Sequence, residues 1–397
     1  MILIAHEFYF IAFKVKGLSK KISDLPHIPG ENPFIVARGG FYRRWLQMID
    51  NIDEFEGVVA ELKTTLQHDW VPKWRELGRK YENLGDKAEL IGNYEDARHQ
   101  FLLAKTFYAI GRFPSEITGL KKEISADCSR AYKKASQHLD PALEIVEIVC
   151  NGLSIKAHFR VPKKSAPVPA VLIMWGADVF KEDRGWAAEL ALQNGLAALV
   201  MDAPGTGGNQ FPWAPESVVA WEAAIDYIME RPEVDQSRVG AFGISRGGYS
   251  VLQLAGTAPE KVKAVVAIAG HPFQNEPSKE EMKEILKTRN ERAKFRFGQE
   301  DGPTWVPNWS AEKEIAMSKD WSLESLGLVE KINMPVLMIN GDQDGLAPAS
   351  NIYFMLQSGK PGLRSAKIYK NSGHCAFDHQ LEWGPIAFEW LAEKLQN

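Results

Sequence analysis

Val239-Gly240-Ala241-Phe242-Gly243-Ile244-Ser245-Arg246-Gly247-Gly248-Tyr249 is the stretch on which the fold turns. Val239 to Phe242 reads as a buried strand, and Tyr249 to Ala255 reads as a helix. Between them stands a G-x-S-x-G pattern, centred on Ser245, in a strand–turn–helix setting. A turn that sharp holds its serine in strained backbone, and glycines at its flanks remove the side chains that would clash. The start of the following helix offers free N–H groups and a partial positive charge beneath a developing oxyanion. Ser245 is therefore the candidate nucleophile, and the Arg246 backbone N–H is one candidate oxyanion donor.

Outward from this turn, short apolar runs alternate with helix-favouring segments. An expected hairpin opens the series: Leu143 to Cys150 and Leu153 to Val161 flank the Asn151-Gly152 turn. Further strands are expected at Ala170 to Trp175, Ala197 to Met201, Arg238 to Phe242, Ala264 to Ala269, Pro335 to Asn340 and Ser365 to Tyr369. Continuously apolar strands with helical crossovers imply a buried, mostly parallel sheet of the α/β class.

A serine nucleophile needs a base, and the base needs an orienting acid. Asn340-Gly341-Asp342-Gln343-Asp344-Gly345 follows an apolar strand and supplies two carboxylates. Asp344 lies further past the strand end, before the Leu346-Ala347-Pro348 turn, and is the favoured acid. Asp342, nearer the strand, is expected to hydrogen-bond the loop instead. Ser372-Gly373-His374 follows the last strand, and its glycine lets the imidazole swing over the nucleophile. His379 is the rival, expected to enter the final helix. The order serine, acid, histidine is that of an α/β-hydrolase. A second oxyanion donor belongs on the loop after the Val171 to Trp175 strand, and the Ala177 backbone N–H is assigned to it. Asp178 either orients that loop or is a solvated turn residue.

Residues from about 40 to 138 read as helices. Phe41, Trp45, Met48, Ile49 and Ile52 recur at helical spacing, and Gly92, Tyr94, Ala97, Phe101, Ala104 and Tyr108 repeat it. Gly111 and Pro114 are expected to end that second run. The expected organisation is a helical N-terminal lid domain over 1–140 and an α/β-hydrolase catalytic domain over 141–397. A helical insertion over 271–332, carrying Trp305, Trp309 and Trp321, is expected above the carboxyl ends of the strands.

The net charge of −4 comes without any Lys/Arg run, which argues against a nucleic-acid partner. Three cysteines, Cys128, Cys150 and Cys375, make neither a disulfide framework nor a zinc motif, so no zinc site is expected and a reducing cytoplasm is. Met1 to Phe13 is apolar but carries His6 and Glu7 and lacks a basic leader, so it reads as packed structure. No other apolar run approaches the roughly 18 residues of a membrane span. Twelve tryptophans suit an apolar ligand pocket as well as a core.

The Val171 to Asp178 segment, the Asp202-Ala203-Pro204-Gly205-Thr206-Gly207 loop, the Ser245 turn, Asn340 to Pro348 and Gly373-His374 together resemble the FrsA-like branch of the α/β-hydrolases. Gly92 to Ala97 and Arg112-Phe113-Pro114 carry the likeness into the helical region. Within the branch the chain is similar to fungal polyketide chain-shortening hydrolases of the yellowish-green pigment type and to 2,6-dihydroxypseudooxynicotine hydrolase. The resemblance implies a lid domain, a homodimer, no cofactor, and hydrolysis of a carbon–carbon bond beside a ketone. Two positions depart from it. Gly208-Asn209 continues the Pro-Gly-Thr-Gly loop where bacterial esterase-like members have Glu-Ser, and Arg246 stands where pigment-type members have alanine. A cation there either binds an acidic group of the substrate or pairs with the N-terminal domain.

Carbon–carbon cleavage through an acyl-enzyme leaves a carbanion or enolate that must be protonated. His374 can supply that proton, with His271 and Glu276, just beyond the Ala264 to Ala269 strand, as candidate second acids. The expected substrate is a small aromatic or polyketide-like molecule. The alternatives are a carboxylesterase or an acyltransferase using the same three residues, and a non-enzymatic binding module, against which the complete set argues.

Overall fold

In the computed structural model the described residues are 45–46, 48–114, 119–164, 167–272, 280, 283, 286–287 and 311–396. They form two compact units that divide between His138 and Leu139.

The second unit is built on one eight-stranded sheet: β1 (Glu144–Cys150), β2 (Leu153–Arg160), β3 (Val168–Met174), β4 (Ala197–Met201), β5 (Val234–Ile244), β6 (Val265–Ile268), β7 (Val336–Gly341) and β8 (Arg364–Tyr369). Their spatial order is β1-β2-β4-β3-β5-β6-β7-β8. β1 pairs antiparallel with β2 and β2 with β4, while the pairings from β4 through β8 are parallel. β3, β4, β6 and β7 are buried along their whole length, which is why they read as unbroken apolar runs rather than alternating ones. β5 starts earlier than the expected Arg238, at Val234. Its polar Asp235, Gln236 and Ser237 hide the strand from an apolar count, but Val234 pairs with Val168 across a register shift. This is the mostly parallel α/β-hydrolase sheet expected from the sequence.

In the first unit the helices are α1 (Ile52–Glu61), α2 (Gln67–Leu90), α3 (Tyr94–Arg112) and α4 (Leu120–Ser136). Trp45, Phe55, Trp70, Trp74, Phe107 and Tyr108 form its aromatic core. Glu82 lies inside this unit and accepts hydrogen bonds from Tyr108 (2.8 Å) and Arg130 (2.7 Å), so its charge is compensated. The Trp45-to-Ile52 spacing does not mark one helix. Met48 to Asp50 is non-helical, and Asn51 starts α1 afresh by accepting the N–H groups of Asp53 and Glu54. α3 stops at Arg112, close to the Gly111 and Pro114 signals.

The second unit's helices are α5 (Gly185–Gln193), α6 (Val218–Met229), α7 (Arg246–Thr257), α8 (Ala311–Trp321), α9 (Ser350–Gln357) and α10 (Gln380–Gln396). Of the expected insertion, Trp305 and Trp309 lie outside the described residues, and α8 ends in Trp321. Among the described residues no helix is long and apolar enough to cross a membrane.

Candidate active site

Ala177, Ser245, His271, Asp344 and His374 all follow the carboxyl ends of strands, where ligands bind in open α/β sheets. Ser245 joins β5 to α7 with φ +57°, a left-handed backbone that a β-carbon disfavours. Its N–H donates to the Ile268 carbonyl (2.8 Å), which locks the turn against β6. The turn closes because its neighbours lack side chains. A β-carbon on Gly243 would strike the Gly247 backbone, and one on Gly247 would strike the Met174 carbonyl.

The structure brings three of the expected residues into one line. Ser245 Oγ lies 2.8 Å from His374 Nε2, and His374 Nδ1 lies 2.7 Å from Asp344 Oδ2. Asp344 is buried, and it also accepts Asn340 Nδ2 (2.8 Å) and the backbone N–H groups of Leu346 (2.7 Å) and Ala347 (3.1 Å). Burial works to raise its pKa, but the bonds from His374, Asn340 and Leu346 outweigh burial and hold it below the usual carboxylate value. Burial likewise works against an imidazolium at His374. The Cys375 sulfur and the Asp344 carboxylate beside it prevail and push it up to about 10.

The two rivals stand elsewhere. Asp342 is exposed, and among the described residues the loop N–H groups it was expected to hold are held by Asp344. His379 stacks on Tyr369 at 4.3 Å and faces Glu382. It ends the short turn His374–His379, just before α10 begins at Gln380. Asn340 is a residue the sequence reading passed over. Its amide donates to Asp344 and to the Ala347 carbonyl (2.7 Å), and its oxygen accepts the Cys375 N–H (2.9 Å). One side chain thus fixes the acid loop and the histidine loop together. Its position at the end of an apolar strand, four residues before Asp344, was the available signal.

Gly176 packs against the nucleophile: a β-carbon there would sit 3.3 Å from Ser245 Cβ. The loop that carries Ala177 therefore runs beside Ser245, and Arg246 is the first residue of α7. His271, after β6, is stacked on Tyr249 at 5.3 Å. Burial lowers its pKa to about 4, against a supporting bond with the Ala269 backbone, so the ring is neutral near pH 7. A neutral imidazole can donate a hydrogen bond but is a poor proton source. Glu276 lies outside the described residues.

A second ionic cluster organises the Pro-Gly-Thr-Gly loop. Asp202 is fully buried and accepts the Lys181 N–H (2.6 Å), Lys181 Nζ (2.9 Å) and the Gly208 N–H (2.7 Å). Gly207 adopts φ +51°, and a β-carbon there would overlap the Asp202 carboxylate. Asn209 closes the loop by donating to the Asp202 carbonyl (3.0 Å) and accepting the Phe211 N–H (3.1 Å). The Gly208-Asn209 departure is thus a structural clasp. Among the described residues no group of side chains is arranged to hold a metal ion.

The model of the FrsA-like esterase family matches residues 60–396, from the end of α1 through the rest of the helical unit and the whole sheet. The chain belongs to the FrsA-like esterase family. It is accordingly a hydrolase enzyme of the α/β-hydrolase type, as the sequence resemblance implied. A family relative, the esterase FrsA of Vibrio parahaemolyticus, is 22% identical over 366 residues, covering 86% of this chain and 84% of its own. The α/β-hydrolase gkaG of Penicillium citrinum is 26% identical over 236 residues, covering 55% of this chain and 54% of its own. The structure of 2,6-dihydroxy-pseudo-oxynicotine hydrolase superposes with a TM-score of 0.71 at 19% identity, over 92% of this chain and 95% of that one. That last likeness establishes the shared fold.

Proposed function

We propose that Ser245, His374 and Asp344 carry out acyl transfer to water, and that the bond cleaved is a carbon–carbon bond beside a ketone in an aromatic or polyketide-like substrate. The observation that carries this reading is the unbroken line from Ser245 Oγ through His374 to Asp344 at 2.8 and 2.7 Å. Neutral His374 takes the serine proton as Oγ attacks the ketone carbon, and the Arg246 and Ala177 N–H groups receive the oxyanion. When the tetrahedral adduct collapses, the carbon–carbon bond breaks and its electron pair moves onto the departing carbon. A neighbouring carbonyl in the substrate spreads that charge as an enolate. The His374 imidazolium then protonates it, since neutral His271 is a poor source. Water, deprotonated by His374, releases the acyl group. The resemblance of the sequence to fungal polyketide chain-shortening hydrolases and an aromatic cluster at Trp213, Tyr249, His271 and Trp321 support this choice of substrate.

The family's description as esterases favours ester hydrolysis as a second reading, with the same residues and an alkoxide leaving group. Mass spectrometry of products from a panel of β-diketones and aryl esters separates the two. The first reading expects two fragments from the diketone, whose masses sum to that of the substrate plus one water, and none from Ser245→Ala. Turnover of esters alone would defeat it.

We propose further that the helical N-terminal region serves as a lid and that the enzyme works as a cytoplasmic homodimer. A chain beginning at Pro141 should then aggregate or lose turnover. Light scattering showing a soluble monomer with full activity would refute the lid.

A further inference from the structure

Arg246 follows the nucleophile directly and, among the described residues, has no ion-pair partner. Its guanidinium lies 4.2 Å above the ring centre of Trp213 and is half-buried. Among the described residues it has no hydrogen-bonded acceptor and no carboxylate within 4.0 Å. Asp178 acts on it only through its field. Arg130 is neutralised directly by Glu82, Arg160 by Glu189, and Arg231 by Glu144 and Glu233, whereas buried Arg184 lies over Trp175 with its pKa likewise lowered to about 10. Burial lowers the pKa of Arg246 to about 10, so the fold bears a cost for holding this charge away from water. The face of Trp213 offsets part of that cost but accepts none of the five N–H bonds a guanidinium can donate.

The surroundings are those of a binding shelf. Trp213 stacks on Trp321 at 4.8 Å, and Tyr249 lies one helical turn after Arg246 with His271 stacked against it. Among the described residues the buried Tyr249 hydroxyl has no hydrogen-bond partner. His271 feels the charges of His374, Asp344 and Arg246 together, which places the shelf and the nucleophile's partners in one electrostatic neighbourhood. A fixed cation, an orphan hydroxyl and stacked aromatic faces beside Ser245 suit a flat molecule that carries a negative charge close to the bond being cleaved.

Building on the reading of Ser245 as nucleophile, we infer that Arg246 is a specificity-determining residue that binds an anionic group of the substrate, a carboxylate or an enolate, against the Trp213–Tyr249 shelf. The Arg246 backbone N–H serves the oxyanion; its side chain selects the charge of the molecule that arrives.

The test compares charged and neutral substrates of matched shape. One pair is the 4-nitrophenyl hemisuccinate and the 4-nitrophenyl succinamate, with the charge on the acyl side. The other is 4-acetoxybenzoate and 4-acetoxybenzamide, with the charge on the leaving group. The readout is the ratio of kcat/KM within each pair, which is insensitive to a general loss of activity. The wild-type enzyme should prefer the anion in at least one pair by about 10- to 100-fold, the range of a charge-assisted hydrogen bond. Arg246→Met should bring that ratio to about one, and Arg246→Lys should restore part of it. A role confined to packing on Trp213 would lower both rates and leave the ratio alone. No anion preference in either pair, or a preference that survives Arg246→Met, overturns the inference. Labelling by a fluorophosphonate reports on Ser245 independently: a chain that is not labelled there fails the nucleophile reading, whatever the ratios show.

Discussion

Asp344 and Asp202 are both buried carboxylates, each set just past the end of a parallel strand, and each accepts a charged or chargeable side chain and backbone N–H groups. They differ in where the hydrogen bonds lead. From Asp344 the line runs to an imidazole and on to a hydroxyl on a strained turn. From Asp202 it ends at Lys181, itself buried and also paired with Glu182 (3.0 Å). Burial opposes the ammonium charge, yet Asp202 and Glu182 hold the Lys181 pKa above its ordinary value. Lys181 lies between two carboxylates, whereas the His374 imidazole bridges a carboxylate and the Ser245 hydroxyl and so can take a proton from that hydroxyl and return it. Burial and hydrogen bonding are thus common to the two sites. The chemistry of the partner separates a working carboxylate from a structural one.

Substitution should expose that difference most sharply at Asp344. Asp344→Asn keeps the shape but offers His374 an amide, which favours the wrong tautomer, and kcat should fall by about 10⁴-fold. The neighbouring Asp342→Asn, on an exposed side chain, should change kcat by less than about threefold if surface changes stay near 0.5 kcal/mol. The opposite ranking in steady-state kinetics would reassign the acid. Asp202→Asn should act on stability instead. It leaves the Lys181 charge short of its buried counterion and should cost about 3 kcal/mol, read as a lowered denaturant midpoint. An unchanged midpoint would mean that Glu182 alone suffices.

The smallest expected effect is a shift in a pH profile. Attack needs His374 neutral, so activity must fall as pH falls through its pKa. That pKa is raised, so the acid limb of kcat/KM should lie above pH 6.5, towards 10. In the residual activity of Asp344→Asn, which removes one cause of the rise, the limb should move down. A limb at or below 6.5 in the wild-type enzyme would show that Cys375 and Asp344 together do not outweigh burial at the imidazolium. No comparable limb should arise from Lys181, whose partners keep it charged over the same range.

The Ser245 turn was legible because its chemistry is local: the strand, the glycines and the helix that force the strained backbone are contiguous. The same holds for the strands, whose burial on both faces writes itself as unbroken apolar runs, and for the Asn151-Gly152 hairpin. Where a polar stretch interrupts the run, as at Asp235 to Ser237, the strand's start was missed. In the helical region the spacing of Trp45 to Ile52 misled, because a short polar cap at Asn51 outweighs periodicity in deciding where a helix begins.

By itself, then, the sequence determined the sheet, the strained serine and the order of serine, acid and histidine, since each follows from neighbours along the chain. Only the tertiary structure decided which of two carboxylates, two residues apart, meets the imidazole. That choice depends on how the loops after β7 and β8 fold onto each other through Asn340. It decided equally that Asp202 belongs to Lys181 and that Arg246 has no acidic partner among the described residues. Those pairings are set by distance across the fold, between residues that no local pattern connects.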